Sequence, residues 1–242
     1  VLGVKGVSLS TNYVAADGYV GNPNVGGIMT NGTNSVSITQ LAYSGKKSPF
    51  IGGNYAIALG YTYAQNAKPN RATPYGFDQG LVGASNSFGA SGYWIPAKTS
   101  GVIPAVSVGW GTSSFEDSAY KGVLQQNQYR TDIWAKAQSW TVSFNWTDVF
   151  AKGNAAGMAV GQVPFVTNTG YGAVPGPKTP LDSNYMWEWW YKFQVTDNIA
   201  IKPALYYLTN FDGQYGKLNT ATGAYNAKNN VFGGLVMTTF RF

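Results

Sequence analysis

Apolar and polar residues alternate with a period of two along much of this chain, the spacing that sends successive side chains of a β-strand to opposite faces. The alternation is cleanest in Tyr55, Ile57, Leu59, Tyr61 and Tyr63, interleaved with Ala56, Ala58, Gly60, Thr62 and Ala64. Ser139 to Thr147 repeats it, with Trp140, Val142, Phe144 and Trp146 on one face and Thr141, Ser143, Asn145 and Thr147 on the other. From Tyr185 to Val195 one face reads Tyr185, Trp187, Trp189, Tyr191, Phe193 and Val195, and the other Met186, Glu188, Trp190, Lys192 and Gln194. Near the C-terminus Phe232, Val236, Phe240 and Phe242 share a parity opposite to Arg241. Weaker matches from Val7 to Tyr13, Val36 to Tyr43, Phe88 to Trp94, Pro104 to Trp110, Ala156 to Val163 and Ile199 to Leu208 bring the predicted total to ten strands. Glycine, asparagine and β-branched residues interrupt every candidate helix, so the pattern predicts an all-β chain.

Two details disturb the pattern. Val36 and Ile38 are out of phase with Leu41 and Tyr43, which predicts a bulge near Gln40. Pro104 and Pro203 fall within predicted strands, where a missing N–H breaks a ladder bond, so each is expected at a strand start or a bulge.

The predicted connections alternate in length. Residues 16–34, 65–83, 112–136, 167–183 and 211–228 are long, whereas 44–53, 96–101, 148–154 and 196–198 are short. Long loops at one end of the strands and short turns at the other are the rhythm of an antiparallel up-and-down transmembrane β-barrel, with short periplasmic turns and longer external loops. Alternation alone does not separate lipid from a sandwich core. The apolar parity, however, carries few charges and ends in aromatics, as expected where amphipathic rings sit at headgroup depth. The expected interface aromatics are Tyr61, Trp110, Trp140, Trp146, Tyr185, Trp187, Tyr207, Phe240 and Phe242.

Composition narrows the chemistry. The 242 residues include no cysteine and no histidine, only 11% are charged, and 15% are aromatic. Cys–His and Ser–His–Asp nucleophilic centres, haem and iron–sulfur ligation and an ordinary zinc site are thereby excluded. No catalytic residue, cofactor or metal ligand is expected, and the chain is read as a non-enzyme. No run of about 20 apolar residues offers a spanning helix. The net charge of +6 does not point to nucleic acid, because the basic residues are scattered, with only Lys46 and Lys47 adjacent. Glu116 and Asp117, in a predicted external loop, supply too few oxygens for a calcium site.

Two segments carry a family resemblance: Ser139 to Gln162, SWTVSFNWTDVFAKGNAAGMAVGQ, and the terminal NNVFGGLVMTTFRF. Both resemble cyanobacterial outer-membrane porins, a group similar to the carbohydrate-selective porins and often described as iron-uptake porins. The resemblance implies residence in the outer membrane of a Gram-negative, cyanobacterial-type cell, contact with outer-membrane lipid and a homotrimeric assembly. It also implies an N-terminal S-layer-homology domain that binds cell-wall polymer. No such domain is present here, so residues 1–242 are expected to form one barrel domain, the later part of a longer porin.

The function expected is passive diffusion of inorganic ions and small hydrophilic solutes. Pore-facing parity offers Ser8, Ser10 and Asn12, then Ser35, Ser37 and Thr39, then Thr141, Ser143 and Asn145. Lys192, Lys202 and Arg241 join it with Glu188 and Tyr206, three cations against one anion, so a mild anion preference is expected unless Glu188 and Lys192 pair. The alternatives are a secreted all-β module that holds glycans on exposed Trp and Tyr, and a structural barrel plugged by its own loops.

Overall fold

The computed structural model describes residues 5–47, 52–67, 83–97, 102–115, 136–168, 184–210, 218–219, 224–225 and 230–241. Its strands are β1 (Val7–Ala15), β2 (Ser35–Gly45), β3 (Asn54–Ala67), β4 (Gly83–Ile95), β5 (Ala105–Phe115), β6 (Lys136–Thr147), β7 (Ala155–Asn168), β8 (Tyr185–Thr196), β9 (Ile199–Thr209), β10 (Leu218–Asn219), β11 (Ala224–Tyr225) and β12 (Val231–Phe240). β10 and β11 form a two-residue ribbon of their own inside the last long connection. The other ten make one antiparallel sheet in chain order, β1 to β9 followed by β12. All ten strands expected from the alternation are present. The all-β, up-and-down arrangement is therefore as expected, and β1 and β12 stand as the two edges, each paired on one side.

Several strands run beyond the apolar alternation, furthest toward the long connections. β4 and β5 each gain five residues there, as Gly83 to Ser87 and Gly111 to Phe115, which are small or polar on both faces apart from the final phenylalanine. A strand segment with two polar faces shows no period-two signal, so only its ladder reveals it. β7 likewise continues past Pro164: Trp140 pairs with Gln162 but Gln138 with Phe165, so a bulge takes up one extra residue. Pro104 directly precedes β5. Pro203, by contrast, is neither at a strand start nor at a bulge: it lies inside β9 opposite Val236, with the β8–β9 register the same at Trp190↔Ala204 and Phe193↔Ile201 on either side of it.

The register sorts every strand onto two faces. Leu9, Leu41, Leu59, Ala90, Trp110, Trp140 and Gln162 form one transverse row, and the rows beside it carry Tyr43, Ile57, Tyr61, Phe88, Val108 and Val142. Across β7 to β12 this face continues through Val160, Trp187, Tyr207 and Phe232. It is uncovered: Ile57 and Leu59 are each 55% exposed, Phe232 67% and Val236 69%. Among the described residues the buried apolar side chains are only Ala64, Ala137, Phe165 and Ala204, so the molecule has one layer and no sandwich core. Exposing a Leu or Phe to water rather than burying it costs about 1.5–3 kcal/mol. A face of more than a dozen such residues needs an apolar solvent.

One correction concerns β2. Its ladders to β1 and β3 are unbroken from Ser35 to Gly45, with no bulge at Gln40. Ser35, Ser37 and Thr39 pair with Gln65, Tyr63 and Tyr61, and so share the apolar face rather than the face of Ser8, Ser10 and Asn12. The phase change is a change of side-chain type along a regular strand. Thr39 meets its cross-strand partner Thr11 through a hydroxyl–hydroxyl hydrogen bond of 2.6 Å, which lets both sit on that face.

The first long connection, residues 16–34, packs on itself and on the rim of the sheet. The Gly27 amide donates to the Asp17 carbonyl (2.8 Å), the Asn34 side-chain amide to the Asp17 carboxylate (2.7 Å), and the Met29 amide to the Tyr13 hydroxyl (2.9 Å). Gln65 reaches from β3 to the Thr30 carbonyl at 2.7 Å. Gly27 has φ 100°, a left-handed value natural to glycine.

Candidate functional site: the polar face of the sheet

The face opposite the aromatics begins with small residues. Gln40, Gly60, Gly89, Gly111 and Ser139 follow one another across β2 to β6 in one row, and Ala58, Ser91, Gly109, Thr141 and Gly161 in the next. A hollow of ≈ 480 Å³ lies over these two rows. A Cβ added at Gly60 would meet nothing within 4 Å, so no described neighbour demands glycine there. Hydroxyls bond across the strands, Ser87 to Ser113 at 2.8 Å and Ser107 to Ser143 at 2.6 Å.

The same face changes character at β8. Met186, Glu188, Trp190 and Lys192 alternate along that strand, and Glu188 lies opposite Tyr206 of β9. A second hollow of ≈ 500 Å³ includes Gly161, Met186, Glu188, Tyr206 and Leu235 in its walls. Here glycines face large rings in contact: a Cβ at Gly157 would overlap the Trp190 indole, and one at Gly233 the Tyr206 phenol. The ring lying across a glycine on the next strand covers backbone that would otherwise be bare.

All seven residues expected to line a pore, Ser143, Asn145, Glu188, Lys192, Lys202, Tyr206 and Arg241, fall on this polar face or at its end. The alternative pairing of Glu188 with Lys192 is not formed, and none of the three cations is held in an ion pair with another described residue. Lys202 instead places its Nζ 4.2 Å from the centroid of the Trp190 ring. Lys192 and Lys202 sit across from one another in the β8–β9 register set by Phe193↔Ile201. Like charges so placed repel, and the ring gives Lys202 a partner away from Lys192. Trp190 therefore has Gly157 against it and Lys202 over it, which leaves little of the ring free for stacking.

The expected interface aromatics lie on the other face. Tyr185, Trp187 and Tyr207 sit at the long-connection end, Trp146 and Phe240 at the short-turn end, and Tyr61, Trp110 and Trp140 nearer mid-strand. Phe242 lies outside the described residues, as do Glu116 and Asp117. Trp140 donates to Gln162 at 2.6 Å, which satisfies a polar side chain on the apolar face, and packs edge-on to Tyr185 at 6.3 Å.

Aromatics at the short-turn end have a role that the alternation did not disclose. Trp94 of β4 donates to the Gly52 carbonyl of the turn between β2 and β3 (2.7 Å). Trp146 of β6 donates to the Val102 carbonyl of the turn between β4 and β5 (3.0 Å), and Tyr191 of β8 to the Val149 carbonyl of the turn between β6 and β7 (2.8 Å). Each of these three turns is thus clasped by an aromatic from the following hairpin. Only a register, not a spacing, brings such residues together.

The family model for carbohydrate-selective porins, described as the OprB family, matches residues 10–242. The chain belongs to this family. Curated relatives include an uncharacterized protein of Synechocystis sp., 28% identical over 219 residues, covering 84% of this chain and 37% of that protein. Another, an uncharacterized protein of Nostoc sp., is 26% identical over 220 residues, covering 84% of this chain and 32% of its own length. Both sources are cyanobacteria, and the chain spans about a third of the length of these relatives. No solved structure matches it. Membership makes the chain part of a porin, a family of outer-membrane channel proteins of Gram-negative bacteria.

Proposed function

We propose that this chain forms wall of an outer-membrane diffusion channel, with the aromatic face toward lipid and the polar face toward an aqueous lumen. The division of the sheet carries the reading: one register places most of the uncovered apolar residues on one face, and Glu188, Lys192, Lys202 and Arg241 on or at the end of the other, which also exposes the apolar side chains Val14, Ile38, Tyr93, Met186, Leu235 and Met237. Small hydrophilic solutes, carbohydrates among them, and inorganic ions would pass over the hydroxyl- and glycine-lined part. Three cations with no ion-pair partner among the described residues, against one carboxylate, favour anions, because low-dielectric walls focus the field of fixed charges.

Residues 1–242 would act as one barrel domain of a longer chain in a cyanobacterial-type outer membrane, tethered to wall polymer through an N-terminal domain. A homotrimer is the proposed assembly. Tyr19, Ile28 and Met29 are exposed on the first long connection, which is tied to Tyr13 and Gln65 of the apolar face, and would meet a neighbouring copy.

The test is conductance of the full-length natural protein in a planar bilayer under a salt gradient. Stable unitary steps with a reversal potential of anion-favouring sign are expected. A folded, inserted protein that stays silent would leave the loop-plugged barrel as the better reading.

A further inference from the structure

The polar face ends, beside the short β8–β9 turn, in a cavity of ≈ 70 Å³ lined by Lys192, Gln194, Asn198, Ala200, Thr239 and Arg241. A single water needs about 10–15 Å³ of such space, so this one holds several waters or one tetrahedral oxyanion. Among the described residues its lining contains two cations, two amides and a hydroxyl, and no carboxylate. Asp197 adjoins Asn198 in the turn but is not part of the lining.

The walls are tied together by hydrogen bonds that leave the cationic groups unused. The Gln194 side-chain amide donates to the Thr196 carbonyl (2.7 Å), and the Asn198 amide to the Thr196 hydroxyl (3.3 Å). The Arg241 amide donates to the Asn198 carbonyl (2.9 Å), which fixes the start of the Arg241 side chain to the turn. Lys202, the remaining cation of this corner, is drawn toward Trp190 and does not line the cavity. Lys192 and Arg241 have no carboxylate partner among the described residues.

We propose that this corner is a binding site for a small tetrahedral oxyanion of the phosphate or sulfate class, with Lys192 and Arg241 as its charged ligands. Thr239 and Asn198 supply neutral donors. Charge-assisted hydrogen bonds to an oxyanion are about twice as strong as neutral ones, and a guanidinium matches two oxyanion oxygens at once. The cavity opens on the polar face, away from the aromatic rows, so the ligand is a soluble anion rather than a lipid headgroup. Its place at the short-turn end makes it a station at the inner mouth of the proposed channel. That role rests on the channel reading, whereas binding does not.

The probe is inorganic phosphate, titrated at low ionic strength into the full-length natural protein in a phosphate-free detergent and followed by phosphorus NMR line broadening. Saturable broadening is expected. Lys192→Gln with Arg241→Gln should weaken binding about tenfold or more, since each removes a charged ligand, while Lys202→Gln should change it less than about twofold. Lys192→Arg should retain it, and Lys192→Gln alone gives a partial loss should the double variant fail to fold. Absence of saturable binding, or equal binding by the parent and by folded Lys192→Gln, overturns the site. Bilayer recordings on the same preparations separate the two ideas: open channels indifferent to phosphate would sink the site alone, and saturable binding without conductance would sink the channel alone.

Discussion

The polar face is two surfaces with one backbone. Over β3 to β6 it is paved with Gly60, Gly89, Gly109 and Gly111 among serines and threonines, carries no charge among the described residues, and leaves the space above Gly60 open and that above Gly89 nearly so, while Thr141 and Ser139 approach Gly109 and Gly111. Over β8 to β12 the positions facing the same way hold Glu188, Trp190, Lys192, Lys202 and Tyr206, and the glycines opposite them, Gly157 and Gly233, are filled by neighbouring rings. Glycine thus has opposite meanings on the two halves. On the first it makes room above the sheet, and on the second it receives a side chain lying along the sheet. In the proposed channel, the first half would set the width available to a solute and the second which charge the solute meets.

The largest effect should come from inverting the charged half. Lys192→Glu with Lys202→Glu turns three cations and one anion into one cation and three anions, and the reversal potential in a salt gradient should change sign. An unchanged sign would show that selectivity is decided elsewhere. Next in size is the contrast between the two kinds of glycine. Gly157→Leu drives a side chain into the Trp190 indole and should destabilise the folded protein by about 1–3 kcal/mol in detergent unfolding, whereas Gly60→Leu should stay within about 0.5 kcal/mol. In a bilayer the ranking reverses, with Gly60→Leu lowering unitary conductance and any Gly157→Leu that folds altering it less. If both leucines cost the same stability, the two halves do not differ in the way described.

Smaller changes test individual contacts. Trp94→Phe keeps the ring and removes the hydrogen bond to the Gly52 carbonyl, and should cost about 0.5–1.5 kcal/mol, with faster proteolysis of the 46–53 turn as a local readout. The smallest effect is expected on the uncharged half: Ser143→Ala breaks the 2.6 Å bond to Ser107 at a site that water can reach, and conductance and reversal potential should match the parent.

The contrast between halves also marks how far the chain alone could be read. Period-two alternation located all ten strands, because a strand crossing lipid must be apolar on one face. It lost the outer extensions of β4 and β5, where both faces are small or polar and the constraint is absent. It misplaced Ser35, Ser37 and Thr39, because residue type was read as orientation in a strand whose apolar residues change face beyond Gln40. The charged residues of β8 and β9 were legible by parity. Their arrangement was not: that Lys202 leans to Trp190, leaving Lys192 to share a cavity with Arg241, depends on which residues of β8, β9 and β12 stand opposite one another. The glycine–ring contacts and the turn clasps were hidden for the same reason, since their partners are 33 to 44 residues apart along the chain except Gly233 and Tyr206.

The clasps give the short-turn rim a direction. Trp94 reaches back from β4 to the turn behind it, Trp146 reaches back from β6, and Tyr191 from β8, so the hairpins overlap like roof tiles, each nailed by the one laid after it. In each of these three hairpins a fastening for the bend arrives with its successor. The repeating module of such a rim is therefore two strands plus one borrowed ring. A wall built this way can lengthen or shorten by whole hairpins while every remaining tile keeps its nail, whereas inserting a single strand would leave one bend loose.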